Sequence, residues 1–179
     1  MRTYKRLKIE GACYFFTVNL ANRTGNDLLI REIGALRGAF RQTRTSHPFE
    51  IDAIIILPEH LHAIWQLPPG DNDFSTRWRL IKSRFSQRID AGERMSASRA
   101  RKGERGIWQR RFWEHAIRDD SDYARHVDYI HYNPVKHGHC EQASDWFSEP
   151  VTFPLSTKET RKYESSNEEI GGTIGFTCG

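Results

Sequence analysis

The chain is 179 residues long, 37% hydrophobic and 12% aromatic, with a formal net charge of +4, which suits one ordinary domain with a real core and leaves no room for a second full one. No apolar run approaches the roughly 20 residues of a membrane helix, and Met1-Arg2-Thr3-Tyr4-Lys5-Arg6 lacks the apolar stretch of a signal peptide, so a cytoplasmic protein without membrane attachment is expected. Three scattered cysteines, Cys13, Cys140 and Cys178, fit neither a disulfide framework nor a zinc finger.

The run from Ala12 to Leu20 is β-branched and aromatic and ends in the turn-like Asn22-Arg23-Thr24-Gly25-Asn26, so it reads as a first strand. From Asp27 to about Thr45, Leu29, Ile33, Leu36 and Phe40 recur at helical steps, with Asp27 placed to cap a single helix. Phe49 to Leu57 begins as an alternating strand and becomes continuously apolar, as a strand covered on both faces does. After Pro58-Glu59, the segment His60 to Leu67 pairs back on it as an antiparallel hairpin. Phe74 to about Ile89 is a second helix with Trp78, Ile81 and Phe85 on its buried stripe, and residues 91–106 have the composition of a mobile basic loop. A fourth strand follows at about 108–117. Asp119-Asp120-Ser121-Asp122 then caps a helix from Tyr123 to about Asn133, where Pro134 disfavours its continuation.

The order βαββαβ is that of the ferredoxin-like split βαβ fold, an α+β domain with an antiparallel sheet and two helices on one face. The last helix is extra. The expected division is a domain over residues 1–140 and a loosely ordered tail over 141–179. That tail holds seven acids against three bases, leaving 24 bases against 16 acids in residues 1–140. Twelve Lys or Arg fall between Arg77 and Arg111 alone, interleaved with Trp78, Phe85 and Trp108. Basic side chains among aromatic rings point to nucleic acid, with Arg77, Arg79, Lys82, Arg84, Arg110, Arg111 and Lys136 as candidate contacts.

Two constellations carry chemistry. His60 and His62 are two apart on a strand, so both imidazoles leave the same face and can chelate one metal ion, although two histidines on a polar sheet face are the commoner explanation of such a pair. Tyr129 and Asn133 are four apart on the last helix and share a face. A phenol is a poor nucleophile unless nearby positive charge or a metal assists it, and Asn133 offers a neutral oxygen as a third ligand. Two imidazoles and an amide oxygen suit Mn²⁺ or Mg²⁺. Tyr123 and Tyr132 are rival nucleophiles without an amide or carboxylate at i+4.

Pro58-Glu59-His60-Leu61-His62, the run Trp108-Gln109-Arg110-Arg111-Phe112-Trp113-Glu114-His115, and Asp128 through Gly138 together resemble the REP-associated tyrosine transposases of bacteria, within the HUH class. The resemblance takes in Ile81 to Ser86 and spans most of residues 1–140. It departs from the family pattern at Arg111, where a small residue is usual, and over 145–150. It implies a ferredoxin-like domain in which His60, His62 and Asn133 hold the metal and Tyr129 is the nucleophile. The implied substrate is single-stranded DNA bearing a palindromic hairpin with a short tetranucleotide on its 5′ side, cut through a 5′-phosphotyrosine that leaves a free 3′-OH, with no small-molecule cofactor. Two other readings fit the residues: a hairpin-binding protein that does not cut, and a His-ligated zinc hydrolase with Glu59 as base, for which no HExxH motif is present.

Overall fold

The structure, a computed structural model, describes residues 6–92, 97–101, 103 and 105–147. Strands β1 (Cys13–Asn19), β2 (Glu50–Ile56), β3 (His60–Gln66) and β4 (Trp113–Ala116) form one sheet in the order β2-β3-β1-β4, with every neighbouring pair antiparallel. With the helices between them this is the split βαβ, ferredoxin-like topology read from the sequence.

The first helical segment is broken in two, α1 (Leu28–Arg31) and α2 (Ile33–Ser46), because the backbone at Glu32 leaves the helical region (φ −104°, ψ 31°). Asp27 does not cap it. The Leu28 N–H instead donates to Asn26 Oδ1 at 3.0 Å, while Asp27 pairs with Arg31 at 2.6 Å. Helix α3 (Phe74–Arg88) starts where expected, capped by Asp73 Oδ1, which accepts from the Thr76 N–H at 3.0 Å. The basic segment at 91–106 is described only in part and contains the short α4 (Ala97–Ala100).

Strand β4 is shorter than the expected 108–117. Trp108 bridges Leu20, but the register moves by two residues before Trp113 pairs with Thr17, so residues 110–112 loop out of the ladder. Helix α5 (Asp120–Lys136) is longer than expected at both ends and passes through Pro134. Asp119 caps it, accepting from the Asp122 N–H at 2.8 Å. The proline forfeits one hydrogen bond near the C-terminal end, yet the His137 N–H still donates to the Asn133 carbonyl at 3.1 Å. Packing of the helix on the sheet through Ile130 outweighs the local preference against helix before a proline.

Strand alternation sorts side chains onto two covered faces. Tyr14, Phe16 and Val18 of β1 and Leu61, Ala63 and Trp65 of β3 point into the larger core beneath α2 and α3, where Trp65 stacks on Trp78 at 4.2 Å between ring centroids. Phe15 of β1, Ala53 and Ile55 of β2 and Ile64 of β3 point the other way and form a smaller core with Ile130 of α5. The packed body runs past residue 140: α6 (Ala143–Phe147) brings Trp146 against this second core, its indole N–H donating to the Ile56 carbonyl at 3.3 Å. The rest of the expected tail, from residue 148, lies outside the described residues.

Asp122 pins the start of α5 to β4. Its buried carboxylate accepts from His115 Nε2 at 2.7 Å and the Arg118 N–H at 3.1 Å, with the Arg118 and Arg125 guanidiniums at 3.3 and 3.5 Å. The bond from His115 leads in holding the carboxyl well below its ordinary range; burial opposes it and the Arg118 bonds reinforce it. Asp122→Ala is expected to cost about 2–3 kcal/mol, the range for buried hydrogen bonds to a charged group. Because the folded-state pKa is depressed, the contribution is complete above pH of about 4 and disappears as pH falls through the folded value. Chemical denaturation of both proteins at pH 7 and pH 3 checks this: the gap between them should shrink in acid, and an equal gap would place the stabilisation elsewhere.

Candidate active site on the second face of the sheet

The second face carries more than apolar side chains. His60 and His62 leave β3 on this side and are sealed under α5, 2% and 3% exposed. Their rings lie 5.0 Å apart, nearly perpendicular. The His62 ring is 5.1 Å from that of Tyr129, and the His60 ring 5.1 Å from that of His137. Tyr129, Asn133 and His137 follow at steps of four residues, so the end of α5 presents all three along one face. Tyr129 is at the rim, 36% exposed, whereas Asn133 is fully buried. The Lys136 ammonium sits 4.9 Å from the centre of the Tyr129 ring.

Each imidazole is oriented from behind. His60 Nδ1 lies 2.9 Å from Glu59 Oε1, and His62 Nδ1 lies 2.9 Å from Thr17 Oγ1 on β1. An ionised carboxylate only accepts, so His60 donates from Nδ1 and keeps its Nε2 lone pair. Glu59 is held ionised: burial pushes its carboxyl up, but the Arg23 guanidinium at 3.0 Å and His60 outweigh that and leave it below its ordinary value. Burial lowers His60, and it takes His62 down to about 3 with help from His60, His137, Lys136 and Arg23. Both rings are therefore neutral at pH 7, the form that ligates a metal. Histidines braced through Nδ1 are the usual support of a metal ligand.

Three polar atoms here find no hydrogen-bond partner among the described residues: His62 Nε2, Asn133 Oδ1 and Asn133 Nδ2, all buried. An unsatisfied buried polar group costs about 1–3 kcal/mol, so a fold that keeps three of them in one place gains nothing structurally. A ligand that accepts an imidazole lone pair and an amide oxygen resolves two. The donor set fits a divalent cation on these grounds, with His60 as the third contributor.

A second cluster, His115, Asp122 and His126, brings its nitrogen and oxygen atoms within 4.8 Å of one another. It does not fit a cation as well, because two guanidiniums already flank the Asp122 carboxylate. It is the ion-paired anchor of α5.

The basic residues do not converge. Arg77 is a correction: it is 2% exposed, donating to both oxygens of Asp71 (3.0 and 2.7 Å) and to the carbonyls of His47, Pro48 and Asp73, and a guanidinium committed to holding α3 against the 47–48 turn has no donor left for DNA. Arg84 bridges α3 to α2 through Thr43 Oγ1 at 2.8 Å and Ser46. Arg79, Lys82 and Arg110 border a cleft of about 570 Å³ beside Trp78, Trp108 and Phe112, on the α3 side of the sheet. There Lys82 donates to the Gln109 carbonyl at 2.9 Å, and burial, with Arg6 nearby, lowers its ammonium to about 8. Arg111 is exposed. Lys136 alone of the seven stands beside Tyr129.

Thr17 and His137 have no role here in the sequence reading, and Glu59 has one only as the base of the hydrolase alternative. His137 was legible as the next step in the Tyr129, Asn133 series and Glu59 as the neighbour of His60, but Thr17 is brought in by the β1–β3 register, in which it sits opposite His62.

No family model matches the chain. A REP-associated tyrosine transposase of Escherichia coli K12 is 49% identical over 146 residues, 82% of this chain and 80% of that protein. A putative REP-associated tyrosine transposase of Haemophilus influenzae is 46% identical over 147 residues, 82% of this chain and 83% of the relative. Among solved structures, a REP-associated tyrosine transposase bound to a REP hairpin superposes with a TM-score of 0.70 at 44% identity, covering 100% of this chain and 95% of that one.

If the unpaired amide of Asn133 is held for a ligand, removing it should stabilise the empty protein. Asn133→Leu is expected to raise the melting temperature in chelator by about 2–6 °C, the equivalent of about 1–2 kcal/mol for a domain of this size. Mn²⁺ should raise the melting temperature of the unaltered protein and leave the variant unmoved. A variant that melts lower in chelator, or gains equally from Mn²⁺, contradicts the assignment.

Proposed function

Because the chain belongs to the REP-associated tyrosine transposases, we propose that it cleaves and rejoins single-stranded DNA beside palindromic hairpins, with Tyr129 as nucleophile and a divalent metal at His60, His62 and Asn133. The observation that carries this reading is the convergence of a rim-exposed tyrosine with two braced, neutral imidazoles and a buried amide whose polar atoms have no partner among the described residues.

In the first step the Tyr129 phenol oxygen attacks the phosphorus of one phosphodiester. The new P–O bond to tyrosine replaces the bond to the 3′ oxygen, the phenol proton is given up, and the departing 3′ oxygen takes up a proton to become a 3′-OH. The count of phosphodiester bonds is conserved, so a 3′-OH on the same or another strand can reverse the exchange without an energy source. A Mg²⁺ or Mn²⁺ ion held by His60, His62 and Asn133 would supply Lewis-acid polarisation of the scissile phosphate. Lys136 adds a fixed positive charge next to the tyrosine, where negative charge builds on the phosphate oxygens. Glu59 holds the His60 imidazole in the tautomer that keeps its Nε2 lone pair available, and Thr17 fixes the orientation of the His62 ring. The hairpin duplex is the expected ligand of a basic surface, which predicts strongly salt-dependent affinity.

The test is direct. Purified protein is incubated with Mn²⁺ or Mg²⁺ and labelled hairpin oligonucleotides with single-stranded flanks, then run on denaturing gels. A covalent adduct is expected from the unaltered protein, none from Tyr129→Phe, and at least a 100-fold slower one from His62→Ala, on the order of the loss when a positioned catalytic group is removed. Hairpin affinity of Tyr129→Phe should stay within a factor of about 3. Salt-sensitive binding with no adduct under any metal condition would leave a hairpin-binding protein that does not cut.

A further inference from the structure

Next to Tyr129, on the side away from His60, the second face opens into a cavity of about 500 Å³ lined by Phe15, Thr17, Trp113, Arg125, His126 and Tyr129. Its walls are mostly rings. Phe15, 2% exposed, is the hub: Trp113 and Tyr129 approach it edge-on at 5.8 and 6.0 Å, and His126 lies tilted against it at 4.6 Å. Trp113 is 50% exposed, whereas the other tryptophans are buried or half-buried. Half of a large apolar ring is thus left in water, while Trp65, Trp78 and Trp108 are buried.

That ring is also held in place. The Trp113 indole lies parallel to the His115 imidazole (5° between planes, 5.9 Å), and His115 lies nearly parallel to His126 (18°, 4.9 Å), which donates from Nδ1 to the Asp122 carbonyl at 2.8 Å. The column ends on the Asp122 anchor that joins β4 to α5. An exposed aromatic surface with fixed orientation binds a flat partner at little entropic cost. Polar groups at the rim are few: the Arg125 guanidinium, held by Ser121 Oγ at 3.0 Å, and the Thr17 hydroxyl that also contacts His62.

We infer that this cavity is the seat of one unpaired nucleobase, that of the nucleotide next to the phosphate attacked by Tyr129, stacked on Trp113 with Arg125 beside the strand. The inference rests on the reading of Tyr129 as nucleophile for its position on the DNA, but not for the existence of the subsite. A flat, uncharged, aromatic ligand is what the ring walls favour, and the cationic rim matches the phosphate joined to it. A base within a duplex keeps its faces on its neighbours and cannot enter, so the subsite selects single-stranded DNA. Thr17 lines the cavity and orients His62, so a seated base sits one hydrogen bond from a metal-site imidazole. Trp113 acts here as a specificity residue of the strand.

The experiment uses binding alone, in the Tyr129→Phe background, so that it does not depend on cleavage. Affinities are measured for a hairpin oligonucleotide with a single-stranded flank and for a set in which each flank position in turn is abasic, with Trp113 intact and with Trp113→Ala. Trp113→Ala is expected to weaken the complete oligonucleotide by about 5- to 100-fold, the range for loss of one base–aromatic stack. Trp113→Phe should recover most of this. One abasic position should reproduce the loss, and at that position Trp113→Ala should add nothing. No loss, or a loss that multiplies with every abasic position, overturns the inference. Should Trp113→Ala fail to fold, 2-aminopurine placed along the flank serves with Trp113 intact: quenching centred on one position supports the subsite, and unquenched emission at all of them rejects it. Absence of a covalent adduct in the cleavage assay would remove the nucleophile reading and leave this result standing.

Discussion

The His62 imidazole is sealed beneath α5 with Nδ1 on the Thr17 hydroxyl and, among the described residues, no hydrogen-bond partner for Nε2. That arrangement follows from a sheet covered on both sides. Alternation along β3 sends Leu61, Ala63 and Trp65 into the core under α2 and α3, and so compels His60 and His62 onto the face that α5 closes. Without α5 these imidazoles would be solvated, and without the strands Asn133 would be one more amide on a helix surface. The docking of α5 converts three ordinary polar side chains into a buried group, partly unsatisfied among the described residues. Such a group weakens the fold, which is the usual sign that its arrangement answers to chemistry.

Two features fix where α5 lies. Ile130 fills the apolar gap over Phe15, Ile55 and Ile64, and Asp122 ties the helix start to β4 through His115. Between these contacts the helix carries His126 and Tyr129, and beyond them Asn133 and His137. The anchor, the exposed aromatic cavity, the tyrosine and the histidine–amide cluster thus lie in that order along one helix. Charge is organised differently. Arg77 and Arg84 are consumed by packing, and Arg99 and Arg105 bind the carbonyls of Gly106, Ile89 and Asp90, so much of the positive run in the sequence serves the body. Of the other basic candidates, Arg79, Lys82 and Arg110 border the cleft beside α3, Arg111 is exposed, and Lys136 stands at the tyrosine.

Most of the fold was legible because its signals are periodic. The His60–Leu61–His62 alternation and the four-residue step from Tyr129 to Asn133 each fix a face, and the structure brings those two faces together. Local rules failed where tertiary packing overrode them. Pro134 does not end α5: the helix runs on to Lys136, packed through Ile130, and the His137 N–H still closes on the Asn133 carbonyl. The helix expected from Asp27 breaks at Glu32, and Trp108 leaves the β4 ladder through a two-residue offset that no composition signal announces. Thr17 could not be paired with His62 before the strand register was known. Arg77 looked like its basic neighbours, and only its burial against Asp71 separates it from them.

Which side-chain oxygen takes the DNA decides the mechanism, and peptide mapping of the covalent complex reads that atom. The complex formed with a hairpin oligonucleotide is trimmed with nuclease, cut with trypsin and sequenced by fragmentation mass spectrometry. The tryptic peptide 126–136 holds both Tyr129 and Tyr132, while Tyr123 falls on its neighbour. A 5′-phosphonucleotide carried by Tyr129 is the predicted result; its appearance on Tyr132 or Tyr123 would contradict the assignment of the site.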